Sequence, residues 1–237
     1  MQIRAAVAKL AKYAVRESGD TVEMIERPHG GLSFVLVDGQ RSGRSAKAIS
    51  NLVARKAISL LAEGVRDGAA ARAAHDYLRA MRQGQVLATL TIVSVDLDSR
   101  TLVISRNGHC PVMICDAHGQ QLLDEVSEPI GVRAYVRPVI RELPLEEGVT
   151  VLAATDGIWA AGVRRHRRLD VTGLVGRLCA EHPGNARAIA DGVLAEALSL
   201  DDGRPQDDMS VLVVCVVTGE PPDGARRLDV SFPIPPV

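Results

Sequence analysis

The sequence predicts an α+β fold in which mostly antiparallel sheets are covered by paired helices. Three observations carry this reading. Helical periodicity comes in two pairs of segments, near 42–82 and near 171–200. β-rich runs lie before, between and after those pairs. Most of these runs are joined by tight turns, too short for the crossover that parallel strands need. No internal repeat is visible.

Residues 1–37 read as strands. Segment 21–26 (TVEMIE) alternates apolar and polar residues, and 32–37 (LSFVLV) is apolar and β-rich. Between them, Arg27-Pro28-His29-Gly30-Gly31 forms a hairpin turn. The second strand runs into Asp38-Gly39. A helix follows, capped by Ser42 or Ser45, with Ala48, Leu52, Val53, Ala57, Leu60 and Leu61 repeating near 3.6 residues. Gly64 and Gly68 interrupt it, and a second helix covers 69–82. Strands return at 86–96, 101–106 and 111–116, separated by turns at 98–100 and 117–119. Segment 119–148 is mixed. Segment 149–154 (VTVLAA) is a buried strand ending at Thr155-Asp156-Gly157. Helices follow at 171–180 and 186–200, the latter capped by Asn185. A loop, 201–208, leads into the last strand, 209–217. The Pro/Gly-rich stretch 219–237 is expected to lie outside the core as a tail to a domain spanning 1–218.

Composition narrows the function classes. The chain has 237 residues, 46% hydrophobic and 24% charged, which suits one sizeable core and argues against disorder. A formal net charge of −1 gives no global attraction to nucleic acid or to an anionic membrane. The longest strictly apolar run, 211–217, falls far short of the roughly 20 residues a membrane helix needs. The N-terminus lacks a signal-peptide core. Cys110, Cys115, Cys179 and Cys215 form no C-x-x-C pair, and a reducing cytoplasm is the expected compartment.

Aspartates recur where strands begin or end. Asp20 follows Ser18-Gly19, Asp38 and Asp156 each close an apolar strand before a glycine, and Asp207-Asp208 precede the final strand. A charge abutting a buried strand is costly unless compensated. Any one Asp-Gly pair is ordinarily a turn. Four such places on one sheet edge can instead converge on a cation. Carboxylates without soft ligands select a hard ion, Mg²⁺ or Mn²⁺. Two such ions, about 3.5–4 Å apart, can clamp a phosphoryl group for in-line attack.

These pieces, in their order, resemble the bacterial SpoIIE-like branch of the metal-dependent (type 2C, PPM) protein phosphatases. Gly19-Asp20 resembles the first acidic motif. Asp38-Gly39, continuing to Gly43 and Ala46, resembles the Asp-Gly-x-x-x-Gly-x-x-Ala segment. Ala88-Thr89, Gly108-His109-Cys110-Pro111 and Pro129-Ile130-Gly131-Val132 resemble the Ala-Thr, Gly-His-x-Pro and Leu-Gly-hydrophobic steps. Thr155-Asp156-Gly157-Ile158 and Asp207-Asp208-Met209-Ser210 resemble the last two acidic motifs. The resemblance spans about 15–217.

It implies a four-layer α-β-β-α sandwich, two sheets flanked by helix pairs. It also implies a Mn²⁺- or Mg²⁺-dependent serine/threonine phosphatase using two ions. Asp38 would bridge the metals, the Gly39 carbonyl would bind one, and Asp156 and Asp207 would complete the second site. Asp20 would hold a metal or its water, with Asp208 ranked below Asp207. Metal-activated water would attack phosphoserine or phosphothreonine directly, without a covalent intermediate. The family's substrates imply a phosphorylated anti-sigma-factor antagonist or related STAS-domain protein as partner. The resemblance implies a short stand-alone phosphatase, with input expected from expression level or a partner. Movement of the helix after Asp38 would be a route to regulation.

Two departures stand out. Eukaryotic relatives carry a His directly after Asp-Gly; here Gln40 takes that place and cannot protonate a leaving alkoxide. The first motif continues as Thr21-Val22-Glu23, without a second Asp. They keep an alternative open: a catalytically weak protein that keeps the fold and sequesters a signalling partner. Coincidental Asp-Gly turns on an ordinary α/β domain are a third possibility, which predicts no divalent-metal site. Other residues read more plainly. Arg16 lies near, but not at, the phosphate-binding Arg of eukaryotic members. His109 reads as a satisfied turn histidine, His29 and His75 as surface, and Trp159 as core. The basic run 164–168 reads as a solvated loop, or more sharply as a docking point for a phosphoprotein.

Overall fold

The computed structural model describes residues 1–28, 30–219, 223, 225–231 and 233. His29 and part of the C-terminal tail lie outside the described residues. The elements, in order, are β1 (Gln2–Leu10), β2 (Asp20–Glu26), β3 (Gly31–Gly39), α1 (Gly43–Ala62), α2 (Asp67–Arg82), β4 (Ala88–Asp96), β5 (Thr101–Asn107), β6 (Val112–Asp116), β7 (Gly119–Leu123), β8 (Val139–Pro144), β9 (Thr150–Ala154), α3 (Asp156–Trp159), α4 (Val171–Glu181), α5 (Ala186–Leu200) and β10 (Met209–Val217). One sheet runs β1-β10-β9-β6-β7 and the other β2-β3-β4-β5-β8. Every pairing within them is antiparallel.

Alternation along the central strands builds the layers. Side chains of a strand point to opposite faces. In β10, Val211, Val213 and Cys215 pack with α4 and α5, while Leu212, Val214 and Val216 meet the other sheet. In β3, Val35 and Val37 lie with α1 and α2, while Phe34 and Leu36 enter the space between sheets. Both faces of these strands are buried, which is why they read as unbroken apolar runs. Three cores result: helices on sheet, sheet on sheet, and sheet on helices. This is the four-layer sandwich.

The differences from expectation have local causes. Segment 119–148 contains β7 and β8, both at sheet edges and largely exposed, so neither carries an apolar signature. Residues after Thr155 do not simply turn; they wind into the short helix α3. His75 is a correction. It is 1% exposed, and its Nδ1 accepts a hydrogen bond from the Gly131 backbone N–H at 3.0 Å. It ties α2 to the Pro129-Ile130-Gly131 turn, which itself bridges to Ala88 beside the site.

Candidate active site

Antiparallel pairing brings strand ends together. The start of β2 lies beside the end of β3, with Asp20 directly opposite Asp38. Asp38 is in turn opposite Thr89 on β4. In the other sheet, β9 ends beside the start of β10, so Asp156 and the Asp207-Asp208 pair meet at one edge. The two edges coincide. All six residues proposed as ligands, Asp20, Asp38, Gly39, Asp156, Asp207 and Asp208, line one cleft of about 280 Å³. Lys12, Arg41 and His109 share its wall.

Asp20 joins the sheets. Its Oδ2 accepts from the Thr155 hydroxyl at 2.9 Å and the Ser210 hydroxyl at 2.7 Å. Both donors come from the opposite sheet. Its Oδ1 is buried and has no partner. The backbone carbonyl of Asp20 accepts from the ammonium groups of Lys9 and Lys47, so those cations steady the chain without covering the free oxygen. Burial is the main reason the Asp20 carboxyl is pushed up to about 7, against the two hydroxyl donors, with Asp208 adding to the rise.

Asp38 is pushed higher, to about 9, first by burial and then by the charges of Asp20, Asp156 and Asp207. Asp156 is also raised, by burial and Asp207, while His109 opposes the rise. Carboxylates that lift one another in this way are short of positive charge. Asp208 differs. Its Oδ1 accepts from the Lys12 N–H at 2.9 Å and its Oδ2 from the Gly19 N–H at 2.8 Å. Both oxygens therefore hold the β1–β2 connection in place. Asp207 uses one oxygen for the Asp208 N–H at 2.9 Å.

Glycine is required twice for close approach. A Cβ on Gly39 would overlap the Ala46 carbonyl at the start of α1. A Cβ on Gly157 would overlap the Asp208 carbonyl. Each Asp-Gly pair thus brings its backbone close against the neighbouring segment. Gln40 is held on both sides: its N–H donates to the Leu87 carbonyl at 3.1 Å, and its Oε1 accepts from the Leu87 N–H at 3.2 Å. The residue that replaces histidine is a strap between the β3–α1 turn and the lead into β4.

Several residues at the site were not singled out from the sequence. Thr155 and Ser210 appear in the motif strings, but their grip on Asp20 spans 135 and 190 residues. Arg106 is 1% exposed; it donates to the carbonyls of Cys110 and Glu125 at 2.6 Å each, bracing the Gly108-His109 turn. His109 is not a satisfied turn residue: its side chain is 67% exposed, with Nε2 at 3.9 Å from Asp156 Oδ2. Arg16 does not line the cleft.

Among the described residues, no group of three or more Asp, Glu, His or Cys side chains is drawn into a shell able to hold a metal ion as it stands. The donor set nevertheless suits a hard divalent cation: oxygen ligands only, one buried oxygen without a partner, and mutual repulsion for a cation to relieve.

Comparisons with known proteins give the family and the fold. The family model described as stage II sporulation protein E (SpoIIE) matches residues 28–217. Stage II sporulation protein E of Priestia megaterium is 22% identical over 209 residues, covering 87% of this chain. The match takes in 35% of that relative, so the chain spans about a third of its length. The PP2C phosphatase domain and regulatory fragment of SpoIIE from Bacillus subtilis superposes with a TM-score of 0.77 at 22% identity, covering 91% of this chain and 64% of that one. The catalytic domain of the serine/threonine phosphatase PstP, solved with two manganese ions, gives a TM-score of 0.67 at 17% identity, over 91% and 99% of the two chains. With the family model matching from β3 through β10, including Asp38, Asp156, Asp207 and Asp208, the chain belongs to the SpoIIE family and carries the PP2C phosphatase fold.

Proposed function

We propose that this chain is a Mn²⁺- or Mg²⁺-dependent protein serine/threonine phosphatase. The observation that carries the reading is the convergence of Asp20, Asp38, Asp156 and Asp207 on one cleft, with a buried unpaired oxygen on Asp20. Membership of the SpoIIE family and the PP2C fold support it. Asp38, Asp156, Asp207, Asp20 and the Gly39 carbonyl would hold the cations, two of them by family resemblance; Asp208 acts through the loop it clamps. Bound divalent ions supply charge neutralisation and an activated water.

 The other groups in the cleft belong to the chain itself. Lys12 and Arg41 stand where a phosphoryl group entering the cleft meets positive charge, and the guanidinium fork suits phosphate oxygens. The Gln40 strap keeps Asp38 and Gly39 in register with Thr89. Gln40 offers no proton to a leaving alkoxide.

The substrate we infer is a phosphorylated bacterial signalling protein of the anti-sigma-factor-antagonist (STAS) type, on the strength of family membership. Residues 1–218 would form the phosphatase domain and 219–237 a tail. A cytoplasmic setting fits four free thiols. Among the described residues, no helix is long and apolar enough to cross a membrane.

The test is hydrolysis of p-nitrophenyl phosphate and of a phosphoserine protein, with Mn²⁺ and with chelator, by wild type and Asp38→Ala. Turnover that needs Mn²⁺ and falls at least about a thousandfold in the variant is expected. Metal binding without turnover would favour the sequestering protein instead.

A further inference from the structure

Beside the catalytic cleft lies a second, larger groove of about 530 Å³. His109 and Asp156 line both cavities, so one opens into the other. The groove is otherwise walled by Trp159, Ala160, Val163, Arg167 and Arg168. Trp159 is half-buried and packs on the core beneath α4 and α5, giving a firm apolar floor. Val163, 52% exposed, adds an apolar rim.

The charge of the groove opposes that of the cleft. Run 164–168 carries four guanidinium groups. Among the described residues, Asp202 is the carboxylate that pairs with them, shared between Arg165 and Arg167. Arg164 meets the neutral Gln206 side chain at 3.2 Å. Asp201, at the same loop, is buried and spends its oxygens on the Gly162 and Gln206 N–H groups. Among the described residues, one carboxylate therefore faces four guanidinium groups, two of which, Arg167 and Arg168, line the groove.

We propose that this groove docks the segment flanking the phosphoresidue of the protein substrate, and that the segment is acidic with an apolar side chain. The inference rests on the phosphatase reading and deepens it. Guanidinium forks take carboxylates in pairs, and Trp159 and Val163 take the apolar residue. An acidic flank is repelled by the carboxylates of the cleft and drawn to the arginines, which sets its direction away from the reacting phosphate.

Trp159 is the one tryptophan of the chain, so its emission reports on the groove independently of turnover. Two phosphoserine peptides of equal length serve as probes, one with Glu and Leu beside the phosphoserine and one with Lys in their place. With Mn²⁺, the acidic peptide is expected to show kcat/KM about tenfold higher and to shift Trp159 emission saturably. Arg168→Glu and Val163→Asp should each remove most of that preference. Both lie outside the cleft, so hydrolysis of p-nitrophenyl phosphate should stay within about twofold of wild type. Equal use of the two peptides, or a preference that survives both substitutions, overturns the docking site and leaves the phosphatase reading intact. Should no phosphorylated compound be hydrolysed, that reading falls, and Trp159 decides the docking site alone. A saturable response to the acidic peptide that Arg168→Glu weakens upholds it; no response overturns it.

Discussion

Asp20 and Asp38 face each other across a strand pair, and both carboxyls are raised, to about 7 and about 9. The sign of the consequence is fixed. Each group binds its proton more tightly folded than unfolded, so between about pH 4 and pH 9 the folded chain holds more protons. Stability of the metal-free protein therefore falls as pH rises through that window. Mn²⁺ requires the deprotonated carboxylates, so its stabilising effect grows over the same window. Thermal melts at pH 5 and pH 8, with chelator and with Mn²⁺, should show the larger metal-induced rise at pH 8; equal rises would contradict the electrostatics. Asp208 makes a different prediction. Asp208→Ala strands the N–H groups of Lys12 and Gly19, and about 1–3 kcal/mol of stability should be lost for each one left unpaired. Urea unfolding measures this. The acidic positions themselves were legible from the sequence, because a carboxylate at the end of an apolar strand asks for a partner. The division of labour between Asp207 and Asp208 was not, since it depends on a loop 189 residues away.

Elements with two buried faces announced themselves. β10 and α5 have the bounds their apolar patterns gave, because burial on both faces or along one stripe leaves a continuous trace. β7 and β8 left none: GQQLL and VIRELP sit at sheet edges with mostly exposed side chains. α3 was hidden because Asp-Gly is equally at home in a turn and at a helix start. A polar cluster under α2 was also hidden. Arg27 lies 3.6 Å from Asp67, with both side chains buried, and Ser33 and Ser94 complete the cluster. Removing one partner of a buried pair leaves the other uncompensated. Arg27→Met should destabilise the fold by about 3–5 kcal/mol, read from chemical unfolding, whereas exchanging both Arg27 and Asp67 for apolar residues should cost much less.

At the scale of the molecule, the sandwich places the chemistry where two independent sheets end. Neither sheet alone assembles the cleft: Asp20 and Asp38 come from one, Asp156 and Asp207 from the other, and Thr155 and Ser210 reach across to Asp20. The described part of the tail contributes little to this. Its described contact with the body is an exposed ion pair between Arg226 and Glu26, and such pairs contribute at most about 1 kcal/mol. A chain ending at Thr218 should melt and turn over as the full chain does; a large loss of either would show the tail to be part of the domain. The most direct measurement of the central claim is an anomalous-scattering map at the manganese edge from crystals grown with Mn²⁺. It should show manganese bound among Asp20, Asp38, the Gly39 carbonyl, Asp156 and Asp207. A map with no manganese in that cleft, at saturating concentration, would contradict the account.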